Sequence, residues 1–373
     1  MHVTRVCSLS IHADYRCRHS GACCTADWDV PVELPVYRSL REAHEAGRLT
    51  VSGNAAGLHP FVVEPGLPGD AAAMLERHAS GECVFFDRGS RLCIVHRDLG
   101  EPALPATCRH FPRLAVADAR GTFITLSHFC PTAASQLFRE DVALAIVESP
   151  VSFPHADYDG LTVTSGDLPP LLRPDVLMDD AGYAAWEHHM VAVCAAAASA
   201  EAALATLARD ASSLRTWTGG AGPLHAAVAR LPRDVVPALP PATLEASLRA
   251  HAEAMTCVPD DLKPEPDEQG LPEAYERFVR EPWQGFSRAL RNYVAAKAFA
   301  SWTAYQGRGV ATIVRGLDAA LALVRVEAAR RCRDAGAPLD ADRLKEAIRA
   351  ADFILNHLAA GDALAEAWSA AES

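Results

Sequence analysis

The sequence predicts an α+β protein, a small cysteine-rich domain with β-hairpins packed on a larger, mostly α-helical domain. Three observations carry that expectation. Eight of the eleven cysteines fall within the first 130 residues. The same stretch holds two strand–turn–strand patterns. From about residue 178 onward, Ala-rich segments with helical spacing dominate. The expected organisation is a cysteine-cluster domain over 1–140, a connecting segment over 141–177 and an α-helical domain over 178–373.

The elements follow in order. After the tight run Cys17-Arg18-His19-Ser20-Gly21-Ala22-Cys23-Cys24, residues Leu34 to Ala46 read as a short helix closed by Gly47. Cys83-Val84-Phe85-Phe86 and Arg91-Leu92-Cys93-Ile94-Val95-His96 flank the turn Asp87-Arg88-Gly89-Ser90, which brings Cys83 and Cys93 near each other. Pro102, Pro105 and Pro112 predict an extended or looped segment around Cys108. A second hairpin, Leu114 to Ala117 and Thr122 to Ser127 about Gly121, leads to Cys130 and Pro131. Pro131 suits the first turn of a helix, so Cys130 is placed at a helix N-terminus, where the dipole favours the thiolate that binds metals. Helices are expected near Asp179–Arg209, Leu224–Arg230, Ala242–Met255, Gln284–Tyr305, Val310–Arg333, Ala341–Leu358 and Ala363–Ala371, with a Pro-rich acidic loop at Val258 to Gln269.

Composition narrows the function classes. Half of the residues are hydrophobic and 22% are charged, which excludes global disorder and fibrous repeats. Lys plus Arg number 35 against 47 for Asp plus Glu, a formal charge of −12, so no nucleic-acid or anionic-membrane partner is expected. The longest uncharged run, His188 to Ala200, is too short to span a bilayer. The opening Met1-His2-Val3-Thr4-Arg5-Val6-Cys7 lacks the apolar core of a signal peptide. The expected location is the cytoplasm, where thiols stay reduced and clustered cysteines serve as metal ligands or reactive groups rather than disulfides.

Cys17, Cys23, Cys24, Cys83, Cys93, Cys108 and Cys130 form the candidate ligand pool, and spacing alone does not select four of them. Metal–sulfur sites need thiolates converging on one point, and the Gly21-Ala22-Cys23-Cys24 turn supplies two beside backbone amides that can bond sulfur. Buried small hydrophobes are the ordinary reading of a cysteine. Density and hairpin placement outweigh it for these seven, whereas Cys7, Cys194, Cys257 and Cys332 are expected to be structural. An iron–sulfur cluster of the [4Fe–4S] type is favoured over zinc, because Val84, Phe85, Phe86, Ile94, Phe111 and Phe129 would shield it. His12, His19, His96, His110 and His128 lie near the cysteines, and His110 and His128 are each two residues from one. Arg109 and Arg113 bracket Phe111-Pro112 beside Cys108 and are candidates for stabilising thiolate charge or holding an anionic cofactor.

The pattern Tyr15-Arg16-Cys17…Gly21-Ala22-Cys23-Cys24, then Cys83-Val84-Phe85, Cys93-Ile94-Val95-His96 and Cys108-Arg109-His110-Phe111-Pro112, resembles the YkgJ-type cysteine-cluster family of zinc- or iron-chelating domains. Ser20 stands where that family's usual opening carries its second cysteine. Trp28, Leu99-Gly100-Glu101, Thr107-Cys108, Phe111-Pro112-Arg113 and Leu126-Ser127-His128-Phe129-Cys130-Pro131-Thr132-Ala133-Ala134 resemble one branch, the flagellin lysine-N-methylase-like proteins. Leu290-Arg291-Asn292-Tyr293-Val294 and Ile354-Leu355-Asn356-His357 extend the resemblance into the helical tail. It implies a bound iron–sulfur cluster or zinc, and methyl transfer from S-adenosylmethionine to a lysine of a protein substrate. The residues themselves show no strand–glycine-loop–helix cradle for that cofactor: Thr218-Gly219-Gly220-Ala221-Gly222 and Gly53-Asn54-Ala55-Ala56-Gly57 lack the flanking elements. A non-catalytic zinc- or iron-binding module, structural or sensing, is the alternative.

Overall fold

In the computed structural model the described residues are 5–26, 28–53, 59–67, 71–153, 170–237, 242–263, 267–305 and 309–370. The fold is α+β, with helices outnumbering four small sheets. The Asn54–Gly57 part of the glycine loop noted above, and much of the expected connecting segment, lie outside the described residues. No described helix is long and apolar enough to cross a membrane. The chain divides into two compact units: the described residues of Arg16–Arg113 form one, and those of Met1–Tyr15, Leu114–Asp157 and Thr162–Ser373 form the other. This division differs from a boundary near residue 140. Strand Val6–Leu9 pairs in parallel with Gly121–Leu126, with Cys7 opposite Phe123. Pairing across that sequence distance ties both chain segments to the helical unit.

In the helical unit the sheet runs Arg113–Asp118, Gly121–Leu126, Val6–Leu9, Ile146–Glu148. Its two inner strands are buried along their whole length, as strands covered on both faces require. Gly121 is needed there, because its φ is +138° and a Cβ would stand 2.4 Å from the Arg5 carbonyl oxygen. The second expected hairpin is therefore present. Helix Pro131–Gln136 follows, with Cys130 at its N-cap and Pro131 in the first turn, as anticipated.

Around this sheet lie Asp180–Ala196, Ala200–Leu214, Leu224–Ala229, Leu244–Thr256, Ser287–Ala298, Val310–Ala335, Ala341–Phe353 and Gly361–Ala370. The single helix expected over Asp179–Arg209 is two. Ala197 is extended and Ser199 caps a new helix by accepting the Ala202 amide at 3.1 Å. Asp179, Thr243 and Asp340 cap their helices in the same way. Val310–Ala335 is the central helix, and Gly316 admits the Trp368 ring, whose Cζ3 would lie 2.8 Å from an added Cβ. The run Leu271–Trp283, to which the sequence reading assigns no element, is helical with a π turn at Tyr275–Val279. Cys7, Cys194, Cys257 and Cys332 sit in this unit's core, and burial pushes the Cys194 thiol up to about 12.

In the Arg16–Arg113 unit a three-stranded antiparallel sheet orders Pro31–Glu33, Ala71–Leu75, Phe61–Val62. Helix Leu34–Glu45 ends as expected, with Gly47 at φ +70°. The expected hairpin at Cys83–His96 is short: only Phe86–Asp87 and Leu92–Cys93 pair, and Ile94–Leu99 turns into a helix. Cys108 is not in a loop but in the short helix Ala106–His110. Pro105 is tolerated before a first turn, and the Glu33 carboxylate accepts the Ala106 amide at 3.0 Å, anchoring that helix.

Buried histidines make the helical unit acid-sensitive. Burial holds His251 and His357 down at about 4, with Arg330 adding to the effect on His251 and Lys297 on His357. Above the unfolded value of about 6.5 both states are neutral, and below it the unfolded chain takes up the protons first. Stability is therefore lost as pH falls from 6.5 toward 4, by about 2–3 kcal/mol per histidine. Burial of Glu187 and Asp318, which raises their carboxyls, offsets part of this. Urea denaturation at pH 7 and pH 4.5 should give a lower midpoint at pH 4.5, and a smaller drop in His251→Asn; a flat profile would contradict the assignment.

Candidate metal centre

Four chain segments bring five thiols together. The first is the 3₁₀ turn Ala22–Cys24, entered through Gly21 at φ +76°, which carries adjacent Cys23 and Cys24 with their sulfurs 3.9 Å apart. The second is Cys83, whose amide donates to the Cys24 carbonyl at 2.8 Å. The third is Cys93, paired across the hairpin with Phe86 at the start of helix Ile94–Leu99. Cys108 reaches the same core from its own short helix. Cys24 and Cys83 are buried within that core, and Cys23, Cys93 and Cys108 pack against it beside Val84, Phe85, Phe86 and Ile94.

The thiols act on one another. Cys108 is pushed well up by burial, and Cys83, Cys23 and Cys93 add to the shift. Burial lifts Cys83 to about 11, with Cys93 and Cys23 again contributing. In the Cys23–Cys24 sulfur contact either thiol can donate, and the interactions among Cys23, Cys24 and Cys93 push Cys24 up, lower Cys23 and bring Cys93 to about 7. Backbone amides also aim at sulfur: Phe85 toward Cys83, Val95 and His96 toward Cys93, and Cys24 toward Cys23. All six pairings among Cys23, Cys83, Cys93 and Cys108 carry mutual electrostatic influence, while Cys24 touches two of the four. Among the described residues no group of three or more His, Cys, Asp and Glu side chains is arranged so that it could hold a metal ion. Ligation requires deprotonation and a shift of these sulfurs toward a common point, so the set is a pool of donors.

Cys17 lies on the exposed segment ahead of the turn, with its Sγ accepting the His19 amide at 3.4 Å. Cys130 belongs to the helical unit, where the Tyr15 hydroxyl lies 3.6 Å from its Sγ. Arg113 donates from Nη1 to the Arg109 carbonyl at 3.1 Å, and Phe111 meets Trp28 edge-on at 5.0 Å. The His19 and His96 rings stand 5.4 Å apart, and His110 is buried.

A second polar assembly, in the helical unit, was not read from the sequence. Fully buried Asp352 accepts the His128 amide at 2.6 Å, His128 Nδ1–H at 3.1 Å, the Tyr293 hydroxyl at 2.8 Å and Lys297 Nζ at 2.5 Å. Burial alone would raise that carboxyl, but Lys297 and His128 hold it well below the usual carboxylate range. His128 in turn presents Nε2 to His12 Nε2 at 3.3 Å, and Ser127 Oγ meets His357 Nε2 at 2.9 Å. Residues of Leu126–Ala134 and Leu290–Val294, separate in sequence, thus converge on one carboxylate. Asp352 itself lies outside every motif singled out in the sequence.

Gly21 is the test of the turn. A Cβ there would lie 2.7 Å from Phe86 Cε2 in a left-handed conformation, whereas Gly47 is equally left-handed with nothing within 4 Å. Gly21→Ala should cost about 2 kcal/mol and accelerate reaction of the Cys23 and Cys93 thiols with Ellman's reagent several-fold. Gly47→Ala should leave thiol reactivity unchanged; equal rates in both variants would remove the turn from the account. The chain matches no protein-family model, no curated protein and no solved structure.

Proposed function

We propose that this chain is a metal–sulfur protein whose small cysteine-rich domain holds an iron–sulfur cluster, or zinc as the alternative, through Cys23, Cys83, Cys93 and Cys108. The observation that carries the reading is that these four thiols lie in or pack against one small core. By donor type four thiolates suit either centre, and binding would require the four sulfurs to move toward a common point, since among the described residues no group of three or more such side chains stands ready to hold an ion. Bound there, an iron–sulfur cluster supplies electron transfer or Lewis-acid chemistry, and zinc supplies a structural cross-link.

The chain's own residues define what that core does. Cys24, pushed up by its interactions with Cys23 and Cys93, stands beside Cys23 with their sulfurs 3.9 Å apart. Amides of Phe85, Val95 and His96 direct positive dipole ends at sulfur, and Val84, Phe85 and Ile94 exclude water. Cys17 is a reserve ligand in this reading, and Cys130, which belongs to the other unit, is left out of it. The resemblance extends it to methyl transfer from S-adenosylmethionine to a protein lysine, with Arg109 and Arg113 as residues for the cofactor. A non-catalytic module remains the reading to beat, because no glycine-rich cofactor cradle supports the transfer step.

Metal and acid-labile sulfide analysis on protein purified without oxygen decides the centre. A brown protein with sulfide supports a cluster, and a colourless one with about one zinc per chain supports the alternative. Cys83→Ser and Cys108→Ser should lose most of the bound metal, whereas Cys257→Ser and Cys332→Ser should keep it. Equal metal content in all four would remove the ligand assignment. Calorimetric titration with S-adenosylmethionine separates the catalytic reading from the module, which should give no heat.

A further inference from the structure

The cysteine core carries a cation whose charge nothing yet explains. Arg77 forms an isolated antiparallel bridge with Cys83, and directly opposed residues project their side chains to the same face. Its Nη1 donates to the Gly81 carbonyl at 2.8 Å, but its Nε is buried and has no hydrogen-bond partner among the described residues. No ion pair joins it to a carboxylate among the described residues, in contrast to Arg88, paired with Glu82, and Arg97, paired with Asp87 and Asp98. Its positive charge acts on two of the proposed ligands, Cys83 and Cys108. A part-buried guanidinium without a counterion is costly, and so is a buried set of thiolates without a counter-cation. Each supplies what the other lacks.

We infer that Arg77 is the counter-charge of the thiolate set, a positioning residue whose Nε–H donates to a ligating sulfur of Cys83 or Cys108. This rests on the metal–sulfur reading above. Four thiolates on a divalent centre leave a net negative charge, which hydrogen bonds and nearby cations stabilise. Arginine suits the position better than lysine, because its fork keeps Nη1 on Gly81 and still leaves Nε–H to donate to a sulfur.

The experiment uses the full chain in its metal-loaded form, purified without oxygen, with wild type compared against Arg77→Gln, Arg77→Lys and the surface control Arg88→Gln. Metal retention is read by chelator competition at pH 7.5, and the pH of half-release by acid titration. Arg77→Gln should retain metal about tenfold less tightly and release it about one pH unit higher, because protons compete better for thiolates that have lost a neighbouring cation. Arg77→Lys, which keeps the charge without the Nε–H, should fall between, and it decides the question if the Gln variant does not fold. Arg88→Gln should match wild type. Retention and release in Arg77→Lys and Arg77→Gln indistinguishable from wild type overturn the role of Arg77 alone. A wild-type chain that carries no metal overturns the reading on which it rests.

Discussion

Five sulfurs crowded into one small core cannot all ionise together, and the local structure of the Arg16–Arg113 unit answers to that constraint. Burial raises Cys83 and Cys108, and their neighbours raise them further. Interactions with Cys23 and Cys93 push Cys24 up, so the protonated form is favoured there. Peptide dipoles from Phe85, Val95 and His96 do the rest. Such a unit has short strands and few large apolar side chains, so a cross-link at the sulfurs would add stability that its core supplies only sparingly. The same crowding that opposes four bare thiolates favours a cation among them.

The helical unit solves the opposite problem, one buried negative charge. Asp352 is surrounded by donors from the turn at His128 and from the helix bearing Tyr293 and Lys297. Its hydrogen bonds fix the tautomers: His128 donates from Nδ1, so its Nε2 accepts, and His12 must donate from Nε2. A buried ion pair is weak evidence for net stability, but removing one partner strands the other. Arg120 repeats the arrangement at the sheet, bonded to Asp118 and Glu187 and sandwiched between Phe123 and Tyr183. Both assemblies join strands to helices distant in sequence, which is how polar contacts select one packing among several apolar ones.

Some of this was legible in the chain. Pro131 after Cys130 marked a helix start, Gly47 a helix stop and Gly121 a tight hairpin, because each depends on a backbone property of one residue. Other readings failed for an identifiable cause. Ala-rich sequence has no periodicity strong enough to locate a break, and Ser199 acted as a cap only because the preceding residues turned away. Proline near Cys108 suggested a loop, but a carboxylate from Glu33, far away in sequence, anchored a helix there. Strand Val6–Leu9 could not be placed in advance, since its parallel partner lies more than a hundred residues on.

The sequence by itself determined the α+β character, the helical second half and the identity of the thiols, since residue type, spacing and local backbone preference are properties of the chain alone. The tertiary structure decided which sulfurs meet. Cys23, Cys24, Cys83, Cys93 and Cys108 share one core while Cys130 belongs to the other unit. Arg77 stands opposite Cys83, and Asp352 collects its donors from two distant segments. These are pairings across long loops, set by the balance of burial, charge and hydrogen bonding over the whole fold, and no local pattern encodes that balance.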